Sequence, residues 1–145
     1  MSNVSDILAH KGKQVYCVSP HATALEAAQL MNQHQIGALV VIDDGQIIGM
    51  FTERDVLRRV VVARRDPAQV PIGEVMTQPV ACCRPDTPID EARSVFKNRR
   101  IRHLPVIDQE RRVLGLISIG DLNAHENHAQ ETTIHYMREY IYGRA

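Results

Sequence analysis

Two short segments of the chain combine residue types that could bind a nucleotide. They are Gly49-Met50-Phe51-Thr52-Glu53-Arg54-Asp55 and Gly115-Leu116-Ile117-Ser118-Ile119-Gly120-Asp121. In each segment two apolar residues lead from a glycine to a hydroxyl, and a carboxylate follows three residues later. A strand that ends at a helix start presents free backbone N–H groups and the positive end of the helix dipole, which suit phosphate. The carboxylate, one turn into the helix, can accept both hydroxyls of a ribose.

The same residues also fit an ordinary structural role. Thr52 with Asp55, and Ser118 with Asp121, have the spacing of helix N-caps, in which a side-chain oxygen accepts a backbone N–H of the first turn. The spacing by itself leaves both interpretations open, and the capping interpretation needs no ligand.

A basic run adds charge near the second segment. Four fixed cations, followed by His103, lie within six residues: Lys97, Arg99, Arg100 and Arg102. Cations are favourable near a helix C-terminus, which accounts for Lys97 and Arg99 as a solvated helix end. Arg54 and Arg58, on the predicted helix after the first junction, either add charge to a binding site or lie on the surface. The run predicts a phosphate-rich site served by the second half of the chain, and a weaker or ribose-only site in the first.

The remaining histidines and the cysteines give weaker indications of a functional site. His125, His128 and His135 could share a helix face, but further ligands are unspecified, so we predict solvated histidines and no metal site. Cys82 and Cys83 are adjacent in a predicted strand and therefore point to opposite faces, while Cys17 and Cys82 are interpreted as small core residues. His21 has no nucleophile or acid partner implied by spacing. We predict no catalytic residues.

These segments belong to two copies of one unit. A shift of 65 residues places Pro20 on Pro85, Glu26 on Glu91, Ile36 on Ile101, Leu39 on Leu104 and Asp43 on Asp108. One additional residue at a turn then places Gly49 on Gly115 and Asp55 on Asp121. A single spacing maintained over four successive elements indicates an internal repeat.

Each unit is predicted to run strand, helix, strand, strand, helix. The first strands are Gln14 to Val18 and Pro79 to Cys83, and helix starts are marked by Thr23 with Glu26 and by Thr87-Pro88. The paired strands are Ala38 to Ile42 with Gln46 to Phe51, joined by Asp43-Asp44-Gly45, and His103 to Ile107 with Val113 to Ile117. The second helices begin at Thr52 and Ser118.

The predicted fold class is therefore α+β, with two β-α-β-β-α repeats packed sheet to sheet about a pseudo-twofold axis, plus a C-terminal helix. A unit of about 60 residues buries too little apolar surface to be stable alone, so the two units need each other. We predict repeats at 1–65 and 66–123, a Pro-containing linker from Arg64 to Pro71, and a helical tail at 124–145. Ile134, Met137 and Ile141 form the apolar stripe of that tail.

Composition excludes several classes of protein. Seventeen basic and 17 acidic residues give a formal charge of zero, and the chain has no Trp, so we expect neither nucleic-acid nor membrane-surface binding. The longest clean apolar run, Ile36 to Ile42, is far shorter than the ~20 residues that span a bilayer. Three cysteines, no signal-like start and no spanning segment predict a cytoplasmic protein with reduced thiols.

The chain resembles a pair of CBS (cystathionine β-synthase) domains, of the stand-alone bacterial type. Three features carry the resemblance: the tandem unit, the Gly, apolar, apolar, Thr/Ser, x, x, Asp ending of each copy, and the segment Ile101-Arg102-His103-Leu104-Pro105-Val106-Ile107-Asp108. The resemblance covers about residues 4 to 123. It implies a regulatory sensor that binds an adenosine-containing ligand in the cleft between the units: AMP most of all, or ADP, ATP, NAD or S-adenosylmethionine. Such pairs commonly form homodimers, as flat four-unit discs, and regulate a partner protein.

The resemblance also implies roles by position. Asp55 and Asp121 would hold ribose hydroxyls, Thr52 and Ser118 would contact ribose or phosphate, and Arg102 with His103 would contact phosphate. Val18, Ala38, Val80 and His103 would enclose the adenine, and Arg54 would add charge. Gly37 and Ala38 depart from the basic pattern in the first copy. The alternative hypothesis is a constitutive interaction or scaffold protein with no ligand, whose junctions are only capped helices.

Overall fold

A computed structural model describes residues 2–12 and 14–128 of the chain. Its helices are α1 (Val4–Lys11), α2 (Ala24–His34), α3 (Glu53–Asp55), α4 (Ile72–Val75), α5 (Ile89–Arg99) and α6 (Ile119–His128). Its strands are β1 (Cys17–Val18), β2 (Ala38–Asp43), β3 (Gln46–Thr52), β4 (His103–Ile107) and β5 (Val113–Ser118). The turn after α3 is π-helical over Val56–Val61. The architecture is the predicted α+β one, with two sheets and flanking helices.

The two hairpins have the same register. β2 pairs antiparallel with β3 from Ala38 opposite Thr52, and β4 pairs with β5 from His103 opposite Ser118. Each hairpin has one register irregularity, at Val41/Ile42 and at Val106/Ile107. The Asp44-Gly45 turn has positive φ at both residues (52° and 77°), which is the geometry that a two-residue hairpin favours. The two copies of the internal repeat therefore share both the strand register and the position of the irregularity in the hairpin.

The long helices of the two units end in the same way but begin differently, since the N-cap of α5 is Pro88, which makes no side-chain cap bond. The Thr23 hydroxyl accepts the Glu26 N–H at 3.1 Å, as the spacing predicts. Gln35 follows α2 and Arg100 follows α5 as the C-cap, each in the left-handed conformation with φ 54°. Each left-handed residue lets the chain reverse into the following strand, so the residues just before β2 and β4 lie close to the junctions.

The sheets pack against each other through a small aliphatic cluster. Ala38, Val40, Ile47 and Met50 of the first hairpin pack there with Ile107 of the second. Partly buried side chains complete it: Val15, Ile42, Val80, Cys82, Val113 and Leu116. This cluster forms the predicted sheet-to-sheet interface, and the cleft between the two junction regions lies beside it.

A short helix leads into each unit and packs on the other unit. Val4, Ile7 and Leu8 of α1 are buried among residues of the second repeat, including Ile89 and Phe96. Ile72 and Val75 of α4 are buried among residues of the first. Matching backbone bonds fix them, from Val4 N–H to the Thr87 carbonyl (2.9 Å) and from Ile72 N–H to the Ala22 carbonyl (2.8 Å). α1 was not predicted.

Three local predictions need correction. β1 is only two residues long, and its counterpart in the second repeat is a single bridge between Cys83 and Val106. Cys17 is exposed and Cys82 half-buried, so the buried thiol is that of Cys83. The predicted linker stops being exposed at Val70, which is 3% exposed and packs in the first core because α4 follows it at once. The apolar stripe Ile134, Met137 and Ile141 lies outside the described residues.

Candidate functional site

Both strand-to-helix junctions are capped as the simpler interpretation predicts. The Thr52 N–H donates to Asp55 Oδ2 at 3.0 Å, and the Asp55 N–H donates to Thr52 Oγ1 at 3.3 Å. At the second junction the Ser118 N–H donates to Asp121 Oδ2 at 2.7 Å, and the Asp121 N–H donates to Ser118 Oγ at 3.1 Å. These reciprocal bonds hold each carboxylate at the mouth of its helix.

Asp55 is buried and accepts a further bond from the segment between the repeats. Its residue is 4% exposed, and the Thr77 hydroxyl lies 2.9 Å from Oδ1 and 3.0 Å from Oδ2. Arg59 Nε lies 3.6 Å from Oδ1, and Arg59 Nη1 donates to the Met76 carbonyl at 2.8 Å. The carboxylate therefore joins the first junction to the chain that leads into the second repeat.

Asp121 has a different partner. Lys11 Nζ, at the end of α1, lies 2.6 Å from Asp121 Oδ2 and 2.6 Å from the Leu116 carbonyl oxygen. Burial raises the pKa of Asp121, but the hydrogen bonds from Lys11 and Ser118 outweigh it, and the net pKa is lowered. The second carboxylate is therefore bonded by a lysine from α1, at 2.6 Å, whereas the first is bonded by the neutral Thr77 hydroxyl and has its cation, Arg59, at 3.6 Å.

A cavity of about 510 Å³ opens at the first junction, in the cleft between the repeats. The first repeat contributes six lining residues, from just before β2 and from the end of β3 into α3, and the connecting segment adds a seventh: Gly37, Met50, Thr52, Glu53, Arg54 and Asp55, with Thr77. The second contributes Pro79, Val80, Ala81, Arg99, Arg100, Ile101, Arg102 and His103. The structure thus brings together six predicted residues: Thr52, Arg54, Asp55, Val80, Arg102 and His103.

The cavity is rich in guanidinium groups. Arg54, Arg99, Arg100 and Arg102 line it, against the carboxylates of Glu53 and Asp55. Burial lowers the pKa of His103, and the nearby charges of Lys11 and Arg102 lower it further, while Asp121 and Glu53 act in the opposite direction. The neutral imidazole is therefore favoured, and the positive charge on this side of the cavity comes from the arginines.

The basic run is thus divided differently from the prediction. Arg99, interpreted as a solvated helix end, lines the cavity, whereas Lys97 is exposed and is not among the lining residues. Arg102 and His103 lie in the cavity of the first junction, beside Thr52 and Asp55. The predicted phosphate cations and the predicted ribose carboxylate of that site therefore come from opposite repeats.

Four predicted residues lie apart from this cavity. Ala38 is 4% exposed and packs in the inter-sheet cluster, and Val18 is half-buried against the core of the first repeat. Ser118 and Asp121 lie at the second junction, where Lys11 contacts Asp121. The positions suggested for enclosing adenine are thus represented in the cavity by Val80 and His103.

Sequence reasoning did not assign several residues that line the cavity, among them Thr77, Glu53 and Arg100. Thr77 carries no local signal, because its contact with Asp55 spans 22 residues. Glu53 lines the cavity beside Gly37, where an added Cβ would lie 3.2 Å from Glu53 Cδ. Arg100 was in the basic run but had no assigned role, and it lines the cavity from its left-handed position just after α5.

A metal site and a membrane-spanning helix are two other functional features that the described residues could contain. Within residues 2–12 and 14–128, no group of three or more His, Cys, Asp or Glu side chains could hold a metal ion. His135 lies outside that range. None of the described helices is long and apolar enough to cross a membrane.

Comparison with known proteins agrees with the geometry. The CBS domain family matches residues 4–62 and 72–126. The CBS domain-containing protein YhcV of Bacillus subtilis is 38% identical over 122 residues, covering 84% of each chain. The CBS-domain containing protein ATU1752 from Agrobacterium tumefaciens is 36% identical, with a TM-score of 0.80 over 86% of this chain and 99% of that one.

A further solved structure contains ligands. The CBS domain pair of protein MJ0100, in complex with 5′-methylthioadenosine and S-adenosyl-L-methionine, is 25% identical, with a TM-score of 0.78 over 89% of this chain and 98% of that one. The family model matches two repeats, and the structure shows two hairpins in the same register with a cleft between them. The chain therefore belongs to the CBS domain family and contains a tandem pair of CBS domains.

Proposed function

We propose that this CBS pair is a regulatory sensor that binds an adenosine-containing nucleotide in the 510 Å³ cavity between its repeats. The observation that carries the proposal is the meeting of a capped carboxylate from one repeat with arginines from the other. Thr52 and Asp55 face the same space as Arg102 and His103. The volume lies within the range of about 300–1,000 Å³ that is usual for small-molecule sites.

The charges of the cavity favour a phosphate-bearing ligand. Guanidinium groups bind phosphate through paired, charge-assisted hydrogen bonds, and four of them line this wall. S-adenosylmethionine carries a sulfonium cation, which these arginines would repel. Among the ligands that the family resemblance implies, AMP, ADP and ATP therefore suit the cavity best, followed by NAD with its pyrophosphate.

The mechanism that we propose is a population shift without catalysis. A ligand that contacts both repeats stabilises one relative arrangement of them, to the extent that it binds that arrangement more tightly. Thr52 and Asp55 are bonded to each other in a helix cap, which supports a binding role for them and not a nucleophilic one. Since all three cysteines are free thiols, the proposal places the protein in the cytoplasm.

The proposal includes a homodimer. Leu57, Val61 and Val62 in and after the π-helical turn are 57%, 61% and 69% exposed, and they form an apolar surface beside the first junction. Contiguous exposed apolar residues of this kind are typical of an interface. We propose that a second copy of the chain packs on this surface. A regulated protein partner would respond to the same π-helical segment, Val56–Val61.

The test is thermal unfolding with and without AMP, ADP, ATP, NAD and S-adenosylmethionine. A ligand that binds the native state raises the midpoint by mass action. Arg102→Ala should weaken binding of the phosphate ligands by roughly 10- to 100-fold, the equivalent of one charge-assisted bond. Lys97→Ala is the matched control, since Lys97 is exposed and outside the cavity, and it should not change the affinity.

Two outcomes would contradict the proposal in different ways. If no nucleotide at millimolar concentration raises the midpoint, the sensor function is wrong and the scaffold alternative gains support. If a nucleotide binds and Arg102→Ala binds it equally well, the function stands but the cavity is the wrong site.

A further inference from the structure

The N-terminal helix inserts a cation into the second junction. Lys11 Nζ contacts both the Asp121 carboxylate and the Leu116 carbonyl oxygen at 2.6 Å. The two side chains of the ion pair are 33% and 24% exposed, so water has limited access to them. The ammonium therefore shares Asp121 Oδ2 with the Ser118 N–H, and it competes for this carboxylate with any ligand hydroxyl.

α1 is held in this place by the core and not by the ion pair alone. Val4, Ile7 and Leu8 are at most 3% exposed. A Cβ on Gly115 of β5 would lie 2.8 Å from Leu8 Cδ2, so the strand accepts the helix at this distance because that position is glycine. The Lys11 side chain thus starts from a fixed backbone, which lowers the entropic cost of keeping it on Asp121.

The two junctions differ in the charges available to a ligand. Shifted by 65 residues, the cavity residues Arg99, Arg100 and Arg102 correspond to three neutral or weakly basic residues, His34, Gln35 and Gly37. The fixed cation that the structure shows at the second carboxylate is Lys11, and it is already paired. At the first junction, the corresponding outside donor is the neutral Thr77 hydroxyl.

We propose that Lys11 closes the second junction to nucleotides, so that each chain has one nucleotide site, at the first junction. Asp121 is then a structural anchor for α1 and not a ribose acceptor. The inference rests on the proposed nucleotide function for its stoichiometry, but the anchoring contact stands independently of any ligand. Each part has its own measurement.

Calorimetric titration of the full chain with ATP measures the stoichiometry. We expect one equivalent per chain, a loss of affinity of at least tenfold in Asp55→Asn, and a dissociation constant within about twofold of wild type in Asp121→Asn. Two equivalents per chain, or an equivalent that disappears in Asp121→Asn, would overturn the inference. Because Asp55 is buried, Arg102→Ala serves as the second first-junction variant should Asp55→Asn fail to fold.

Unfolding without ligand tests the anchor. Lys11→Met, Asp121→Asn and the double variant form a cycle, with Lys97→Met as the control for removing an exposed ammonium. We expect non-additive losses, with a coupling of about fivefold in the unfolding constant, at the upper end for partly exposed ion pairs. Additive losses would overturn the inference. If wild type binds no ATP, the proposed function is wrong, and this cycle alone still decides whether Lys11 anchors α1.

Discussion

Replacing Thr77 by valine should make the protein less stable and at the same time tighten nucleotide binding. An ionised carboxylate offers about four acceptor sites. Asp55 already accepts the Thr52 N–H, the Thr52 hydroxyl and the Thr77 hydroxyl. A ribose with two free hydroxyls needs two acceptor sites, so one donor must leave. The Thr52 bonds belong to the cap of α3, and Thr77 is therefore the donor that a ligand displaces.

The size of both effects comes from one hydrogen bond. A bond to a charged group contributes about 1.5–3 kcal/mol, and Asp55 is only 4% exposed, so water does not replace it freely. Thr77→Val removes this bond from the free protein without changing the side-chain shape much. In the ligand complex a ribose hydroxyl has taken the place of Thr77 in both proteins. The dissociation constant should therefore fall by about tenfold or more, since tenfold corresponds to about 1.4 kcal/mol.

Urea unfolding and calorimetric titration with AMP or ATP measure the two effects separately. Thr87→Val is the matched control, because its hydroxyl accepts the Arg84 N–H far from Asp55, and it should leave affinity unchanged. The reasoning is refuted if Thr77→Val loses stability as expected but binds nucleotide with the wild-type affinity or more weakly. In that case Asp55 does not receive the ribose.

Two further predictions concern charge and assembly. Burial lowers the pKa of His103, whereas a bound phosphate favours the imidazolium, so the affinity relative to that of His103→Asn should rise as the pH falls from 7.5 to 6. Equal pH profiles of the two proteins in titration calorimetry would remove His103 from the phosphate site. Val61→Glu should convert a dimer to a monomer in sedimentation analysis, whereas Gln33→Glu, an added charge on α2, should not; a monomeric wild type would contradict the proposed interface.

Local patterns were sufficient to predict much of this fold. Capped junctions, hairpins and helix limits depend on neighbours within a few residues, which is why Thr52 with Asp55 and the Asp44-Gly45 turn are where the pattern places them. The sheet-to-sheet arrangement followed from the repeat, because two small units with one apolar face each must cover each other.

Contacts between residues that are distant in sequence could not be predicted from local patterns. Thr77 reaches Asp55 over 22 positions and Lys11 reaches Asp121 over 110, and both pairings depend on which repeat a leading helix packs against. For α1 a signal did exist, since Val4, Ile7 and Leu8 have the i, i+3, i+4 spacing of a buried helix face. Nothing in that spacing indicates that the core it covers begins some 80 residues later.

α1 precedes the first repeat but packs in the core of the second, and α4 precedes the second repeat but packs in the core of the first. The boundaries of a sequence repeat are therefore not the boundaries of a folding unit. A fragment cut at the linker would contain one complete set of strands but would lack the helix that closes its core, and would carry another helix with nothing to cover. Neither half is therefore an autonomous domain.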